Sequence, residues 1–345
     1  MDSVLFLSPV EADGSLGKAG REALAAARAL AEGLQAPLSV GLYGAAAGEA
    51  AQAVAGSGAK KHHAVLGPDF AQPRYASDAA AAAALAKASG ATVIVAPHTS
   101  RTARVAAGVA HRLGGRVDTH LVSLSASDGK PTATRWFYRQ RMEGVLTRAQ
   151  RPWVLLLDPG CVAAWQPQGA APAFEAVPVS LAEAEKGTTV RGTRAPLSDA
   201  QTIRPDAKLL FVAGAGWTKK QADGAVHGAD AEKHIRGFLN ATKASLGSSK
   251  SLVDQSVDGA RVLSFMSHLN QVGQTGSTPR HPKGLATCCH GEEPHVVGWR
   301  FIAERRAVNL DPSCGWARGK ADVLYVADAF AVMERVNALL LAKKG

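Results

Sequence analysis

A six-residue loop, QVGQTG at positions 271–276, combines small residues with side chains that form hydrogen bonds. The glycines on both sides of its Gln-Thr pair carry no Cβ, so the backbone there can approach a flat ligand closely. The hydroxyl of Thr275 and the amide of Gln274 would then reach polar atoms at the edge of that ligand. The N5 atom and carbonyl oxygens of a flavin form such an edge, although a plain hairpin or helix-entry turn also explains the hexapeptide.

Another glycine pair, Gly214 and Gly216, directly follows an apolar run at 208–212 that is typical of a β-strand. A glycine-rich turn between a strand and a helix lets backbone N–H groups bind a phosphate. The chain lacks the third glycine of the dinucleotide fingerprint and has no acidic residue at a convincing distance. We therefore interpret this segment as an ordinary tight turn and keep phosphate binding as the alternative.

A metal site is a third possibility, because several potential ligands crowd into eight positions. They are Cys288, Cys289, His290, Glu292, Glu293 and His295. Zinc sites usually separate their cysteines by two to four residues, and adjacent cysteines do not easily bind one tetrahedral ion together. We therefore predict no metal here. With Cys161 and Cys314 the chain has four cysteines and no C-x-x-C unit, so we expect free thiols in a reducing, cytoplasmic compartment.

Alternating short apolar runs and alanine-rich stretches in the first half predict the elements that would position such residues. We expect strands at 4–7, 38–42, 63–66 and 92–96, and helices at 18–34, 46–55 and 77–88. Ser77 and Asp78 are expected to cap the third helix, and Gly90 to end it. This β-α alternation indicates a mostly parallel sheet with helices on both faces.

A stretch rich in proline and glycine after Cys161 separates this pattern from a second one. There we expect strands at 208–212, 285–287, 307–308 and 323–326, and helices at 231–246 and 329–343. The predicted fold is α/β with two such domains, a Rossmann-like N-terminal domain and a C-terminal ligand-binding domain. Their predicted bounds are 1–165 and 204–345, with 166–203 as a linker.

The chain carries a formal charge of +10, from 39 basic and 29 acidic residues among 345. The basic residues are scattered and form no stripe interleaved with aromatic residues, so we expect no nucleic-acid partner. No apolar run is long enough to predict a membrane-spanning helix. The N-terminus has no basic segment or small-residue cleavage site, so we expect no signal peptide.

In its order of motifs the chain resembles the alpha (large) subunits of electron-transfer flavoproteins. That family has G-A-S-R-x-x-V-D, V-G-Q-T-G, S-G-x-x-x-H, I-N-x-D-P and V-A-D-L-F segments in this order. Their counterparts here lie at 247–254, 272–276, 290–295, 308–312 and 326–330. In the first half, 104–107 is similar to the family's P-R-V-A-A, and Val117-Asp118 and a strand at 135–138 follow at the expected distances.

The resemblance implies flavin adenine dinucleotide (FAD) as the cofactor and assigns a role to each matching position. Ser249 and Lys250 would lie near the pyrophosphate, and Thr275 near N5 of the ring. His295 would face the pyrimidine end, where a donor or a positive charge stabilises the reduced ring. The full implied set is Ser249, Lys250, Val272, Gly273, Gln274, Thr275, Gly276, His290, Gly291, Glu292, Glu293, Pro294, His295, Asn309, Asp328 and Ala329.

The resemblance also implies an electron carrier that works with a smaller beta subunit. It would accept electrons from a flavoprotein dehydrogenase and pass them to a membrane quinone-linked oxidoreductase. Two alternatives stay open: a non-redox module that kept the fold and binds a nucleotide or only its partner, and a subunit of a flavin-based electron-bifurcating complex.

Several positions depart from the family pattern. Trp217 follows Gly216 where the family carries an arginine-containing turn, and Lys250 replaces an arginine. Lysine keeps the charge but loses the planar, bidentate fork of arginine. Glu292 and Glu293 replace residues that are usually neutral, and would weaken a positive field at the flavin if they point inward.

Overall fold

The computed structural model describes residues 2–137, 142–192, 203–255, 263–273, 278–287, 301–312 and 321–343. The chain divides into two compact units, Met1–Thr193 and Arg194–Gly345. Each unit is an α/β structure built on a largely parallel sheet, as the sequence predicts.

The first unit contains nine strands and four α-helices among its described residues. The strands are β1 Val4–Pro9, β2 Leu38–Tyr43, β3 Lys61–Val65, β4 Val93–Pro97, β5 Arg116–Ser127, β6 Lys130–Phe137, β7 Met142–Leu146, β8 Trp153–Leu157 and β9 Glu175–Ala176. The helices are α1 Lys18–Leu34, α2 Tyr75–Ser89, α3 Ser100–Arg112 and α4 Glu183–Lys186. The predicted helix at 46–55 is a 3₁₀ helix, Ala47–Val54.

The nine strands form one sheet in the order β7-β6-β5-β8-β4-β1-β2-β3-β9. All neighbours are parallel except β5 with β6 and β6 with β7, which are antiparallel. The sequence predicts one strand in this region, at 135–138, and does not reveal the antiparallel extension. Strands β5 and β6 show a half-exposed alternation rather than a continuous apolar run, so they stand out less in the sequence.

Successive residues of β1 explain why helices cover both faces of the first sheet. Val4 and Phe6 belong to one buried cluster, with Leu24 and Leu30 of α1. Leu5 and Leu7 belong to a second cluster on the opposite face, which includes apolar residues of α2 and α3. Because side chains alternate along a strand, a run with no polar position needs apolar cover on both sides.

Much of the segment predicted as a linker is built into the first unit. Strand β9 pairs in parallel with β3, and Val177, Val179 and Leu181 pack against the second cluster of buried residues. Trp165 and Phe174 pack against the first cluster. The compact unit therefore continues to Thr193 rather than ending near residue 165.

The prediction that Ser77 and Asp78 cap helix α2 is wrong, because the helix begins at Tyr75 and has no side-chain cap. Asp78 is fully buried inside the first turn, where its carboxylate accepts hydrogen bonds from Nε and Nη2 of Arg101, both at 2.8 Å. Gly90 does end the helix in a left-handed conformation, φ 65°, as predicted. The aspartate therefore links α2 to α3 through an ion pair instead of capping the start of α2.

A second carboxylate ties β5 to β8 and to the segment after β7. Asp118 accepts hydrogen bonds from Arg148 and, at 2.8 Å, from Nε1 of the buried Trp153. Burial disfavours the charged form of Asp118, but the bonds from Arg148 and Trp153 outweigh it and hold its pKa below the usual 3.8. A carboxylate with a lowered pKa in the folded state stabilises that state fully above its unfolded pKa.

We therefore expect the first unit to lose stability as the pH falls from 3.8 through the folded-state pKa of Asp118. The variant Asp118→Asn keeps an acceptor for Trp153 but cannot ionise, so it should lose less stability over that range. Urea unfolding from pH 5 to pH 2.5 measures both. An Asp118→Asn variant with the full acid dependence of the parent would show that this carboxylate contributes none of it.

The second unit contains five strands and three α-helices among its described residues. They are β10 Leu209–Ala213, α5 Gly228–Thr242, β11 Ser245–Ser248, α6 Lys250–Asp254, β12 His281–Thr287, β13 Ile302–Asn309, β14 Val323–Val326 and α7 Ala329–Ala342. The strands form a fully parallel sheet in the order β11-β10-β12-β13-β14. Helices α5 and α7 pack on the face that carries Phe211 and Val308, whereas Leu210 and Val212 face a separate cluster.

Strand β11 corrects the prediction of a helix over 231–246. Helix α5 ends at Thr242, followed by a left-handed Lys243, and residues 245–248 pair with β10. This short strand, with the sequence SLGS, contains no β-branched residue, so its composition does not indicate a strand. Across the described part of the chain, no helix combines the length and apolar character that a bilayer span requires.

Candidate functional site

The strand order of the second sheet marks a candidate binding site. The chain passes from β10 to β11 on one side and later returns to β12 on the other side of β10. Connections that leave a parallel sheet in opposite directions open a crevice at the carboxyl ends of the strands, where ligands bind in such folds. The ends of β10, β11, β12 and β13 at Ala213, Ser248, Thr287 and Asn309 form this edge.

Ser248 and Ser249 lie together at the carboxyl end of β11, and both are buried. The backbone N–H of Ser249 donates to the carbonyl of Ala213, and its Oγ accepts from the N–H of Leu252 at 3.0 Å, which caps α6. No described residue forms a hydrogen bond with Oγ of Ser248. Ser249 was predicted for this site. Ser248 was missed, because strand β11, which ends there, was not recognised in the sequence.

Lys250 follows at the start of α6 and lies on the outside of the unit. Its Nζ forms an ion pair with Asp254 one turn later, and His268 lies 3.8 Å from the other carboxylate oxygen of Asp254. The ammonium that replaces the family's arginine is therefore partly neutralised by an aspartate of its own helix.

The start of the QVGQTG loop is fixed beside these serines. Gln271 forms a parallel bridge with Ser248, and the N–H of Val272 donates to the carbonyl of Ser248 at 3.0 Å. Gly273 has a left-handed backbone, φ 78°, which glycine adopts without strain. Its N–H donates to Oγ1 of the buried Thr278 at 2.7 Å, so the loop is held on both sides. Gln274, Thr275 and Gly276 lie outside the described residues.

The Gly214–Gly216 segment behaves as the tight turn that we favoured. It opens a 3₁₀ helix, Ala215–Thr218, and neither glycine has a left-handed backbone. The following Trp217 is fully buried, and its Nε1 donates to Oγ1 of Thr287 at 2.8 Å. The buried indole of Trp217 therefore lies at the carboxyl ends of β10 and β12, and its hydrogen bond occupies the side chain of Thr287.

Asn309 ends β13 and is 2% exposed. Its Oδ1 accepts from the N–H of Asp311 at 3.4 Å, and its carbonyl accepts from the N–H of Ala327. Its Nδ2 has no acceptor among the described residues. A buried amide donor without an acceptor costs about 1–3 kcal/mol, so its presence favours a ligand at this position.

Asp328 and Ala329 begin the last helix. The carboxylate of Asp328 accepts from the N–H groups of Phe330 and Ala331 at 3.3 and 3.1 Å, which makes it the N-cap of α7. Ala329 is buried in the cluster beneath the helix. These contacts give both residues a structural role, and a ligand would share the carboxylate of Asp328 with the helix.

The second predicted loop falls outside the described residues. This applies to His290, Gly291, Glu292, Glu293, Pro294 and His295, and to Cys288 and Cys289 of the alternative metal site. The described strand β12 delivers the chain to this loop at Thr287, next to the end of β10. The described residues therefore bring together Ser249, Val272 and Gly273, and place Asn309 on the same edge two strands away from β10.

Comparison with protein families identifies the first unit. A search of curated protein sequences finds none that matches the chain closely enough to count as a relative. A family model described as the electron transfer flavoprotein domain matches residues 4–186. The match covers the first sheet from β1 to β9 and all four of its helices. Since the match spans more than half of the sequence, the chain belongs to the electron transfer flavoprotein family.

Proposed function

We propose that the chain is the FAD-binding alpha subunit of a heterodimeric electron-transfer flavoprotein, and that it works as an electron carrier. The observation that carries the proposal is the pair of buried polar groups without partners, Oγ of Ser248 and Nδ2 of Asn309, at the switch-point edge of the second sheet. They occur in a chain whose first unit belongs to the electron transfer flavoprotein family.

The chemistry of these groups suits the sugar and phosphate parts of FAD. Those parts present many oxygen acceptors, and Nδ2 of Asn309 is a donor that lacks one among the described residues. Oγ of Ser249 accepts one bond and still has a proton to donate. In this proposal Ser249 binds near the pyrophosphate, while Asn309, Asp328 and Ala329 lie near the ribose and adenine.

The loops on either side would hold the ring system. The fixed position of Val272 and Gly273 supports a backbone that lies along the ring, continued by Gln274, Thr275 and Gly276. When bound, the flavin supplies the redox chemistry, and the protein supplies binding, orientation and charge. We assign His295 to the pyrimidine end of the ring and the segment 290–294 to the wall around it.

Lys250 contributes less to the charge around the ring than the resemblance suggests. Its ion pair with Asp254 is exposed, and salt screens exposed charges beyond roughly 8 Å at physiological ionic strength. In the proposed site, positive charge would therefore come mainly from His295, with Glu292 and Glu293 opposing it.

The proposed partners follow from the carrier role. A smaller beta subunit would bind the first unit, a soluble flavoprotein dehydrogenase would donate electrons, and a membrane quinone-linked oxidoreductase would accept them. We place this chain in the cytoplasm. Whether the assembled protein is a simple carrier or part of a bifurcating complex depends on what the beta subunit binds.

Co-expression with the beta subunit, followed by a visible spectrum and stepwise reduction, tests this function. We expect a yellow heterodimer with one FAD in this chain. In Asn309→Leu, loss of the amide donor should weaken FAD retention by roughly 5- to 150-fold, since leaving the buried acceptor of the ligand unpaired costs about 1–3 kcal/mol. Asn240→Leu, an exposed asparagine of α5, is the matched control and should retain FAD.

A heterodimer that stays colourless after incubation with FAD would contradict the proposal and support a non-redox module. A yellow heterodimer in which Asn309→Leu and Asn240→Leu retain FAD equally well would keep the function but remove Asn309 from the site.

A further inference from the structure

Three side chains with metal-binding chemistry meet at the carboxyl edge of the first sheet, far in sequence from the proposed flavin residues. His98 follows β4, Asp158 follows β8, and His120 lies within β5. We call them the His-His-Asp cluster. One ligand atom of each residue lies within 4.8 Å of the ligand atoms of the other two.

Both histidines direct the same ring nitrogen to the same carboxylate oxygen. Nδ1 of His98 lies 2.7 Å from Oδ1 of Asp158, and Nδ1 of His120 lies 3.3 Å from it. The two imidazole rings meet edge to face with their centroids 4.1 Å apart. Two nitrogens and one oxygen therefore converge on a single small volume.

The backbone fixes this convergence. The N–H of His98 donates to the carbonyl of Leu157 at 2.7 Å, and that of Asp158 donates to the carbonyl of Leu121 at 2.8 Å. Between Asp118 and Leu121 the pairing of β5 with β8 shifts register, and His120 there adopts a left-handed backbone, φ 57°. A bulge redirects a side chain. A left-handed backbone at a residue other than glycine is strained, and such strained residues occur most often at functional sites.

We propose that the His-His-Asp cluster binds a divalent first-row transition-metal ion, with Zn²⁺ as the best match. Zinc binds histidine nitrogen at about 2.0–2.1 Å and carboxylate oxygen at about 2.0–2.2 Å, so tetrahedral ligands lie roughly 3.3 Å apart. The 3.3 Å between Nδ1 of His120 and Oδ1 of Asp158 matches that value. The 2.7 Å between Nδ1 of His98 and the same oxygen is a hydrogen-bond distance, so the ion would replace the shared proton and His98 would move slightly away from the carboxylate. Because the side chain of His120 is 62% exposed, solvent can reach the fourth position.

A second histidine-carboxylate group in the chain shows why geometry matters. His227 lies 2.7 Å from Asp223 through Nε2 and 3.6 Å from Asp230 through Nδ1. Those two nitrogens are on opposite sides of the ring, so one ion cannot bind both carboxylates and the histidine in that arrangement. This group has the same residue types as the cluster and is the natural control.

Arg135 is the charged group that acts on the cluster from β6. It pairs with Leu121 in the sheet and lies close enough to His120 to affect it electrostatically. A guanidinium near a cation site weakens binding, so Arg135→Gln should bind the metal more tightly than the parent.

Competition between the full-length protein and a chromophoric chelator for Zn²⁺ tests the proposal, and Co²⁺ absorption reports tetrahedral geometry. We expect one site that His98→Ala and His120→Asn each weaken by at least about 100-fold, since even residues that only support a ligand contribute 10- to 100-fold. Asparagine tolerates a left-handed backbone, so His120→Asn should keep the fold. His227→Gln should bind Zn²⁺ like the parent.

The double variant Cys288→Ser/Cys289→Ser separates this site from the other cluster of potential ligands. Zn²⁺ binding that survives the double serine variant but not His98→Ala would support the proposal, and so would tighter binding by Arg135→Gln. Binding that only the serine variant removes, or that His98→Ala and His120→Asn leave unchanged, would overturn it.

Discussion

Asp78→Ala should lower the free energy of unfolding of the first unit by about 3–5 kcal/mol, the cost of leaving one partner of a buried ion pair alone. Asp78 is 0% exposed and binds Arg101 through two hydrogen bonds of 2.8 Å. In addition, Nη2 of Arg104 lies 3.6 Å from Oδ2 of Asp78. The side chain of Arg101 is only 19% exposed, so water cannot fully replace the lost carboxylate. Helices α2 and α3 would lose the ion pair that joins them and would keep only their apolar packing.

Hydrogen exchange of the amides in β1 and β4 measures this effect in the first unit alone. Asp69→Ala is the matched control, because it removes an aspartate whose side chain is 45% exposed and whose carboxylate lies 3.3 Å from Lys186. A surface pair of that kind is worth about 0–1 kcal/mol. Equal losses in the two variants would show that burial of Asp78 does not determine its contribution.

Gly247→Ala should have the next largest effect, and it acts on the proposed flavin site. A Cβ at position 247 would lie 2.5 Å from Cγ2 of Val272 and 3.2 Å from Cδ1 of Leu210. Overpacking of a core typically costs about 1–3 kcal/mol. Since Val272 and Gly273 start the QVGQTG loop, the displaced valine should also move the backbone that we assign to the flavin, and FAD retention should fall.

A double-mutant cycle separates crowding from other effects of the alanine. In Gly247→Ala/Val272→Ala the shortest contact disappears, so the second substitution should restore stability that the first removed, and the two changes should not be additive. Urea unfolding measures the stability and the visible spectrum measures the FAD content. Additive losses would mean that the glycine is needed for a reason other than the valine. Recovery of stability without recovery of FAD would mean that Val272 itself contacts the flavin.

The sequence predicted the elements whose signals are local. Helix α1 was predicted at 18–34 and is found there, because a long alanine-rich stretch between two apolar runs leaves little choice. Gly90 ends α2 as expected, since its left-handed conformation depends only on its neighbours. Strands β1 to β4, β10 and β14 were found within a few residues, because short apolar runs stand out in the sequence. The equally apolar run at 153–157, which forms β8, was missed.

Features that depend on distant partners were not predictable. Asp78 was interpreted as a helix cap, because nothing near it in the sequence reveals Arg101, its partner 23 positions later. Strand β11 was hidden in a predicted helix, because only its pairing with β10 makes it a strand. Nor does the sequence show that His98, His120 and Asp158 meet, since three separate strands of the sheet bring them together. In the proposed flavin site, Ser249 and Gly273 were found through the resemblance, whereas the orphaned Ser248 emerged only from burial.

The place of β8 between β4 and β5 has a consequence for synthesis on the ribosome. Strand β4 leaves the ribosome well before its neighbour β8, with about 55 residues between them, which takes roughly 3–11 s at 5–20 residues per second. During that time the edge of β4 that will later pair with β8 has no neighbouring strand, whereas its other edge pairs with β1. Strand β5 does not occupy the open edge, because in the sheet it pairs with β8 and not with β4. An open apolar edge can pair with the same edge of another nascent chain. Slower translation between these strands should therefore increase aggregation of the newly made protein more than slower translation after residue 157.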